Sequence, residues 1–226
     1  MNLKQVKKFN VYEDSDRKRY LFTKNLVPGT PLFEEELVMH EETEYRAWDT
    51  FRSKLGAGIK KGLSQIGIKK GDMVLYLGAS HGFTPSYVSD MVEDIGFVFC
   101  LDNAHRVVRD LIFICEKRNN MAPIAADANH PHEYKDLITS QVDVVYQDIA
   151  QRNQADIFLK NCEAFLKKGG FGLLALKARS IDVSKKPKHI FREVRHQLEK
   201  SKMTVVDYRE LEPYEKDHAM FVCKKK

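Results

Sequence analysis

Apolar and polar residues are spaced in two different ways along the chain, and the change falls near residue 50. Before it, short β-type runs at Phe9–Tyr12, Tyr20–Thr23, Pro31–Phe33 and Leu37–Met39 are separated by turn signals, notably Val27-Pro28-Gly29. They predict a small, mostly antiparallel β-rich domain over residues 1–50. A unit of that size is too small to be very stable alone, so it should pack on its neighbour. From Phe51 onward strands alternate with helices. Met73–Leu77, Phe97–Leu101, Ala122–Ala126, Val142–Tyr146, Phe171–Leu176, Thr204–Tyr208 and Ala219–Cys223 read as compact apolar strands. Thr84-Pro85 reads as a helix start, with Thr84 as N-cap and Pro85 in the first helical position. Val107, Val108, Leu111, Ile114 and Cys115 follow a 3.6-residue period, and further helices are expected over Ile157–Leu166 and His189–Lys200. The helix through Leu166 is expected to stop at Lys167-Lys168-Gly169-Gly170, where basic residues and glycine suit a C-terminus. This alternation implies an α/β domain over residues 51–226, a Rossmann-like and mostly parallel sheet with helices on both faces. No helix-length segment separates the last two strands, so they are expected as an antiparallel pair at one edge.

Composition narrows the class more than the function. The 226 residues are 43% hydrophobic and 31% charged, enough apolar content for a real core. Mean hydropathy is −0.44, and no apolar run approaches the ~20 residues that cross a bilayer. Met1–Lys8 lacks the apolar stretch of a secretion signal, which predicts a soluble intracellular protein. Cys100, Cys115, Cys162 and Cys223 form no C-x-x-C pair, so neither a metal site nor a disulfide framework is expected. They read as small buried hydrophobes. The formal net charge of +5 is an average of two unequal parts. Residues 1–50 hold 8 basic and 10 acidic side chains, a balance of −2; the remainder stands at +7. A basic second part favours a polyanionic partner without identifying one.

The chemistry concentrates at the strand ends, where ligands bind in open α/β sheets. Gly78-Ala79-Ser80-His81-Gly82, Asp102, Asp127, Asp148 and Lys177 follow successive strands. One Asp after a strand is ordinarily a cap or turn residue, whereas a series of such ends suggests a ligand cleft. The glycine loop is G-x-x-x-G, with Ser80 where a dinucleotide fold places its second glycine against a pyrophosphate. It also lacks the Gly-Lys-Ser/Thr of a Walker loop. Both departures point to a nucleoside without phosphates. Asp102, 24 residues after Gly78, is placed to accept hydrogen bonds from both ribose hydroxyls. Asp127-Ala128 lies where an adenine amino group is read, and the helix start at Thr84 offers a positive end to a carboxylate. A nucleoside carrying an amino-acid carboxylate is S-adenosylmethionine, so the loop chemistry predicts a methyltransferase. A short-chain dehydrogenase would need Tyr-x-x-x-Lys after the loop; Tyr20 and Lys24 have that spacing but precede it. Asp148 and Lys177 end neighbouring strands beside this cleft, Lys54 lies just before the first strand, and His218 opens the last.

Several of these segments resemble the fibrillarin family. Leu75-Tyr76-Leu77-Gly78-Ala79-Ser80-His81-Gly82, Arg106-x-x-Arg109-Asp110-Leu111, Asp127-Ala128-x-His130-Pro131 and Asp148-Ile149-Ala150-Gln151 match its motifs. So do Lys24-Asn25-Leu26-Val27-Pro28-Gly29, Arg52-Ser53-Lys54-Leu55 and the highly specific Glu212-Pro213-Tyr214-Glu215-x-Asp217-His218. The likeness spans nearly the whole chain, and the lack of a glycine/arginine-rich tail makes it similar to the archaeal form. The resemblance implies guide-directed 2′-O-methylation of rRNA, and of tRNA, with S-adenosylmethionine in a box C/D ribonucleoprotein. It implies a Nop-type scaffold, a kink-turn-binding protein, and guide and target RNA as partners. It also implies a cytoplasmic location for an archaeal chain and a nucleolar one for a eukaryotic chain.

Carried onto this sequence, the resemblance implies a cofactor site of Gly78, Ala79, Gly82, Phe83, Thr84, Asp102, Asn103, Asp127, Ala128, Asp148, Ile149, Ala150 and Gln151. Lys54, Asp148, Lys177 and His218 would form a catalytic tetrad like that of related 2′-O-methyltransferases. Lys177 would stabilise the developing alkoxide with Asp148 orienting it. Lys60, Lys61, Arg179, Lys185, Lys186 and Lys188 are candidates for the RNA-facing surface. Three features depart from the family pattern. His81 and Phe83 replace small hydroxylated residues, Asp102-Asn103 replaces Glu followed by an aromatic, and glycines stand at 56 and 58 where alanines are common. The shorter acid and missing ring predict weaker cofactor binding; each glycine weakens its helix by roughly 1 kcal/mol. Two other functions fit the same chain. One is a methyltransferase acting on a protein glutamine. The other is a catalytically weak assembly subunit.

Overall fold

A computed structural model of the chain describes residues 2–7 and 9–226; Met1 and Lys8, part of the predicted N-terminal unit, lie outside the described residues. The first strands are β1 (Leu3–Gln5), β2 (Tyr12–Asp14), β3 (Tyr20–Lys24), β4 (Leu37–His40) and β5 (Thr43–Asp49). They form an antiparallel sheet in the order β1-β2-β3-β5-β4. Two predicted runs are corrected. Pro31–Phe33 is not a strand, because the Glu35 carboxylate accepts from the Leu32 and Phe33 N–H groups and curls the segment around itself. The run at Phe9–Tyr12 starts only at Tyr12. Asn10 has φ +56° and donates its side-chain amide to Met91 O and Glu93 Oε1, which ties it to the end of the helix over Phe83–Val92. β5 escaped the reading because its inward face carries Arg46.

The second sheet contains β6 (Met73–Leu77), β7 (Phe97–Asp102), β8 (Met121–Ala125), β9 (Val142–Gln147), β10 (Leu166–Lys177), β11 (Met203–Glu210) and β12 (His218–Lys225). Its order is β11-β12-β10-β9-β6-β7-β8. β8, β7, β6, β9 and β10 run parallel; β12 is antiparallel to both β10 and β11, giving the expected edge pair. Around it lie α1 (Lys54–Lys60), α2 (Phe83–Val92), α3 (His105–Cys115), α4 (Gln154–Phe165), α5 (Ala178–Ile181) and α6 (Pro187–Lys200). Strand alternation sends Val74 and Tyr76 to one face, with α2 and α3, and Leu75 and Leu77 to the other, with α4 and α6. All four cysteines are buried in these two layers. α4 ends at Phe165, and Lys167–Gly170 is not its cap: these residues form an irregular entry into β10, with register lost between Leu166 and Phe171.

The first sheet packs by its Leu21 and Trp48 face into the same core layer as α2 and β6. An ionic cluster lies in this contact. Arg46 is 0% exposed and donates to Glu35 Oε1 at 2.6 Å, Asp90 Oδ2 at 2.9 Å and Ser86 Oγ at 3.1 Å. Its guanidinium also lies over the Tyr87 ring, at 4.4 Å. Arg118 closes on the other Asp90 oxygen. A charge inside the core is tolerable only when paired in this way. Glycine at 58 has a packing reason: an added Cβ would stand 2.8 Å from Leu63 Cδ1. Among the described residues no helix is long and apolar enough to cross a membrane.

Candidate active site

The carboxyl ends of β6, β7, β8 and β9 open into a two-part cleft. One part, about 280 Å³, is lined by Gly78, Asp102, Asn103, Asp127, Ala128 and the run Asp148–Gln151. The other, about 530 Å³, is lined by Ala79, Phe83 and Thr84, with Phe33, Arg52, Lys54 and Tyr76. Gly78, Ser80 and Asp148 belong to both parts. Of the predicted cofactor residues, Gly82 alone does not line it; with φ +89° it is the N-cap of α2. That corrects the helix start: Thr84 is the second helical residue, and its hydroxyl donates to Ser53 Oγ at 3.0 Å. Gly78 has φ +80°, and a Cβ there would come within 2.3 Å of Asp148 O. Glycine is what lets the loop after β6 touch the loop after β9.

Backbone groups set the acids of the first part in advance. Asp102 accepts from Ser80 N–H through Oδ2 at 2.9 Å and from Ala104 N–H through Oδ1 at 3.0 Å. Each oxygen keeps a lone pair for a ligand hydroxyl. Asp127 accepts from Asn129 N–H and Nδ2, and these bonds hold its carboxyl below the usual carboxylate range. Asn129 Nδ2 also reaches Gln151 Oε1 at 3.0 Å, coupling the two loops.

The tetrad candidates come from four separate places. Ser53 Oγ caps α1 by accepting from Gly56 N–H, so the Thr84–Ser53 contact fixes the point where Lys54 leaves the helix. Lys54 Nζ donates to Asp148 Oδ2 at 3.0 Å. Burial alone would lower the Lys54 pKa, but the Asp148 and Glu215 carboxylates outweigh it and raise the value above normal. The cation on Asp148 is therefore Lys54; the structure shows no ion pair between Asp148 and Lys177. Lys177 is exposed and stands opposite His218 in the β10–β12 register. Gln154 holds its backbone from the start of α4: Lys177 N–H donates to Gln154 Oε1, and Gln154 Nε2 donates to Lys177 O. His218 is 7% exposed. Burial lowers its pKa, and the charge of Lys54 lowers it further against the opposing pull of Lys216 O, Glu215 and Asp148. Nδ1 lies 2.6 Å from Lys216 O, so Nδ1 carries the proton and Nε2 the free lone pair.

The basic candidates for an RNA surface are dispersed. Lys60 pairs with Glu13 at 3.6 Å, Lys185 with Glu193 at 2.8 Å, and Arg179 with Asp217 at 3.2 Å. Lys186 and Lys188 line a groove at the start of α6 that also contains His218. Lys61 presents its carbonyl to Arg209 Nε. Sequence reasoning missed Ser53, Arg52, Gln154 and Glu215. Ser53 and Arg52 share a family motif with Lys54, and Glu215 shares one with His218, which is a usable signal. Gln154 had none, since a glutamine opening a helix is ordinary.

Comparison with known proteins agrees with this geometry. A fibrillarin-like rRNA/tRNA 2′-O-methyltransferase of Methanocaldococcus jannaschii is 46% identical over 215 residues, covering 94% of this chain and 93% of the relative. The solved structure of Aeropyrum pernix fibrillarin with natively bound S-adenosyl-L-methionine is 37% identical, with TM-score 0.89 over 99% of this chain and 98% of that one. A fibrillarin/Nop5p complex structure is 34% identical, with TM-score 0.86 over 96% and 98%. The fibrillarin family model matches residues 3–226, and with relatives this similar over almost their full lengths the chain belongs to the fibrillarin family.

Proposed function

We propose that this chain transfers a methyl group from S-adenosylmethionine to ribose 2′-hydroxyls of rRNA and tRNA. It would do so as the catalytic subunit of a box C/D guide complex in the archaeal cytoplasm. Residues 51–226 would be the catalytic domain, with residues 1–50 as a β-rich unit buttressing it. The observation that carries this reading is the Lys54–Asp148 pair, set where the two parts of the cleft meet. The 2′-O-methyltransferase activity by which the Methanocaldococcus relative is named and the cofactor in the Aeropyrum structure support it. The Nop5p complex supports a Nop-type scaffold as partner. Guide RNA, target RNA and a kink-turn-binding protein complete the proposed assembly.

The cleft fits the cofactor chemically: an acid with spare lone pairs for a ribose diol at one end, cations at the other. When bound, the cofactor supplies an electrophilic methyl on a sulfonium. Asp148 orients the Lys54 ammonium toward the 2′-hydroxyl oxygen and leaves the single hydroxyl proton to another acceptor. The Lys54 ammonium, kept charged by Asp148 and Glu215, cannot act as base and stabilises the developing alkoxide. His218 Nε2 is the proton acceptor of the cluster, and Lys177, opposite it, adds a second cation near the reacting oxygen. The Arg52 guanidinium lies over the Phe83 ring, 4.3 Å from its centroid, at the far part of the cleft.

Labelled methyl should pass to a guided target RNA in the assembled complex, and feebly with the scaffold omitted. Lys177→Ala should lower transfer without altering S-adenosylhomocysteine binding. Label retained on protein after RNA digestion would favour the glutamine-directed alternative.

The pH dependence follows from His218. Its folded pKa lies below the ordinary value of about 6.5, so the neutral form persists further into acid. The kcat/KM of the complex should therefore rise with pH through a midpoint below 6.5 and then level. His218→Gln should erase that acid limb; an unchanged limb in this variant would remove His218 as the acceptor.

A further inference from the structure

We propose that Arg152 and Arg179 form a receptor for one target-strand phosphate flanking the ribose to be methylated. The proposal rests on the 2′-O-methyltransferase reading and adds a site for the acceptor. A concavity of about 330 Å³ is lined by Arg152, Arg179, Ser180, Ile181, Asp182 and Val183. It lies at the carboxyl ends of β9 and β10, on the rim that carries the tetrad candidates. Arg152 is four residues beyond Asp148, and Arg179 is two beyond Lys177.

Its two guanidiniums differ in what holds them. Arg179 is fixed: Nε donates to Asp217 Oδ2 at 3.2 Å and Nη1 to Val183 O at 2.7 Å, which leaves Nη2 free of partners among the described residues. Ala178 N–H donates to Asp217 O at 3.0 Å, so the same residue ties this turn to the one preceding His218. The Arg152 side chain has no hydrogen bond or ion pair among the described residues, although two basic groups line one hollow. The acid of the hollow, Asp182, forms no ion pair with either guanidinium among the described residues. Its Oδ1 accepts from Ser184 N–H at 2.8 Å and Ser184 Oγ at 2.6 Å, within its own turn.

Two arginines and a serine lining one concavity match a tetrahedral anion with several acceptor oxygens. The acceptor necessarily brings such anions, because every internal ribose is flanked by two phosphodiesters. A phosphate held here would anchor the strand directly beside the reacting hydroxyl, through the loops that carry Asp148 and Lys177. Lys60 and Lys185 pair with Glu13 and Glu193 and do not line this hollow.

The test uses the assembled guide complex and RNAs in which single phosphates are replaced by neutral methylphosphonates. One series covers the target strand around the methylated nucleotide; a second covers the guide strand opposite it. Wild type should lose about tenfold in kcat/KM at one flanking target-strand phosphate. Arg152→Gln and Arg179→Gln should each lose about tenfold on unmodified RNA and show little further loss at that same phosphate. Both variants should bind S-adenosylhomocysteine and melt like wild type. The proposal fails if the variants remain as sensitive as wild type at every flanking target phosphate, or if only guide-strand replacements matter. Absence of transfer by wild type to unmodified RNA would instead overturn the reading on which the proposal rests.

Discussion

Lys54→Ala is expected to reduce methyl transfer in the assembled complex by roughly 10²–10⁴-fold, with S-adenosylhomocysteine affinity nearly unchanged. Lys54 and Asp148 stand 3.0 Å apart at the meeting of the two cleft parts. Losing the ammonium removes the charge that stabilises the alkoxide. It also leaves the Asp148 carboxylate free to swing and repel that developing charge. Lys54→Arg keeps the charge but replaces a point donor by a planar fork that reaches further, so it should restore only part of the rate. Asp148→Asn should be equally damaging to transfer. Single-turnover transfer and calorimetric titration separate the two effects. Wild-type transfer by Lys54→Ala would exclude the pair from the chemistry. A parallel collapse of cofactor binding would make Lys54 a binding group.

Arg46→Met should destabilise the fold by about 3–5 kcal/mol, because it leaves buried carboxylates without their cation. Of the two, Glu35 loses more. Its N–H donors from Leu32 and Phe33 remain, whereas Asp90 keeps Arg118 and the Thr23 hydroxyl at 2.7 Å. Denaturant unfolding should show the full loss, and thermal melting a drop of roughly 6–20 °C for a chain of this size. Glu35 also makes the loss pH-dependent. Burial would raise its pKa, but Arg46 and the backbone donors outweigh burial and lower it. Its stabilising contribution is then present above the ordinary glutamate value and lost as pH falls through the lowered one. In Arg46→Met this acid sensitivity should shrink, and Arg46→Met/Glu35→Gln should recover part of the stability. A loss below about 1 kcal/mol would mean that the cluster contributes little to holding the first sheet on the second.

Much of this was legible in advance for a specific reason. The strands of the second sheet bury both faces, so they appear as near-continuous apolar runs that end where a polar residue appears. Their ends are also where an open α/β sheet binds ligands, so Asp102, Asp127 and Asp148 could be assigned to one rim before any contact was known. The first sheet was harder to read. Arg46 reads as a solvent-facing residue, and β5 vanishes with that assumption. The Glu35 carboxylate, 11 residues away, both satisfies Arg46 and bends Pro31–Phe33 out of the extended form.

The sequence by itself determined the α/β alternation, the antiparallel edge pair, the nucleoside-sized loop without a phosphate grip and, through its motifs, the family resemblance. These rest on local spacing and on which residue types follow a strand, and both are written along the chain. Only the tertiary structure decided that Asp148 takes Lys54 as its cation, and that Thr84 ties α2 to the cap of α1 instead of capping its own helix. It also decided that burial pulls the His218 pKa down while Nδ1 faces Lys216 O, and that Arg152 and Arg179 line one hollow. Each of these joins residues distant in sequence. Pairing energy and burial depend on distance and surroundings in space, and neither is set by any window of the chain.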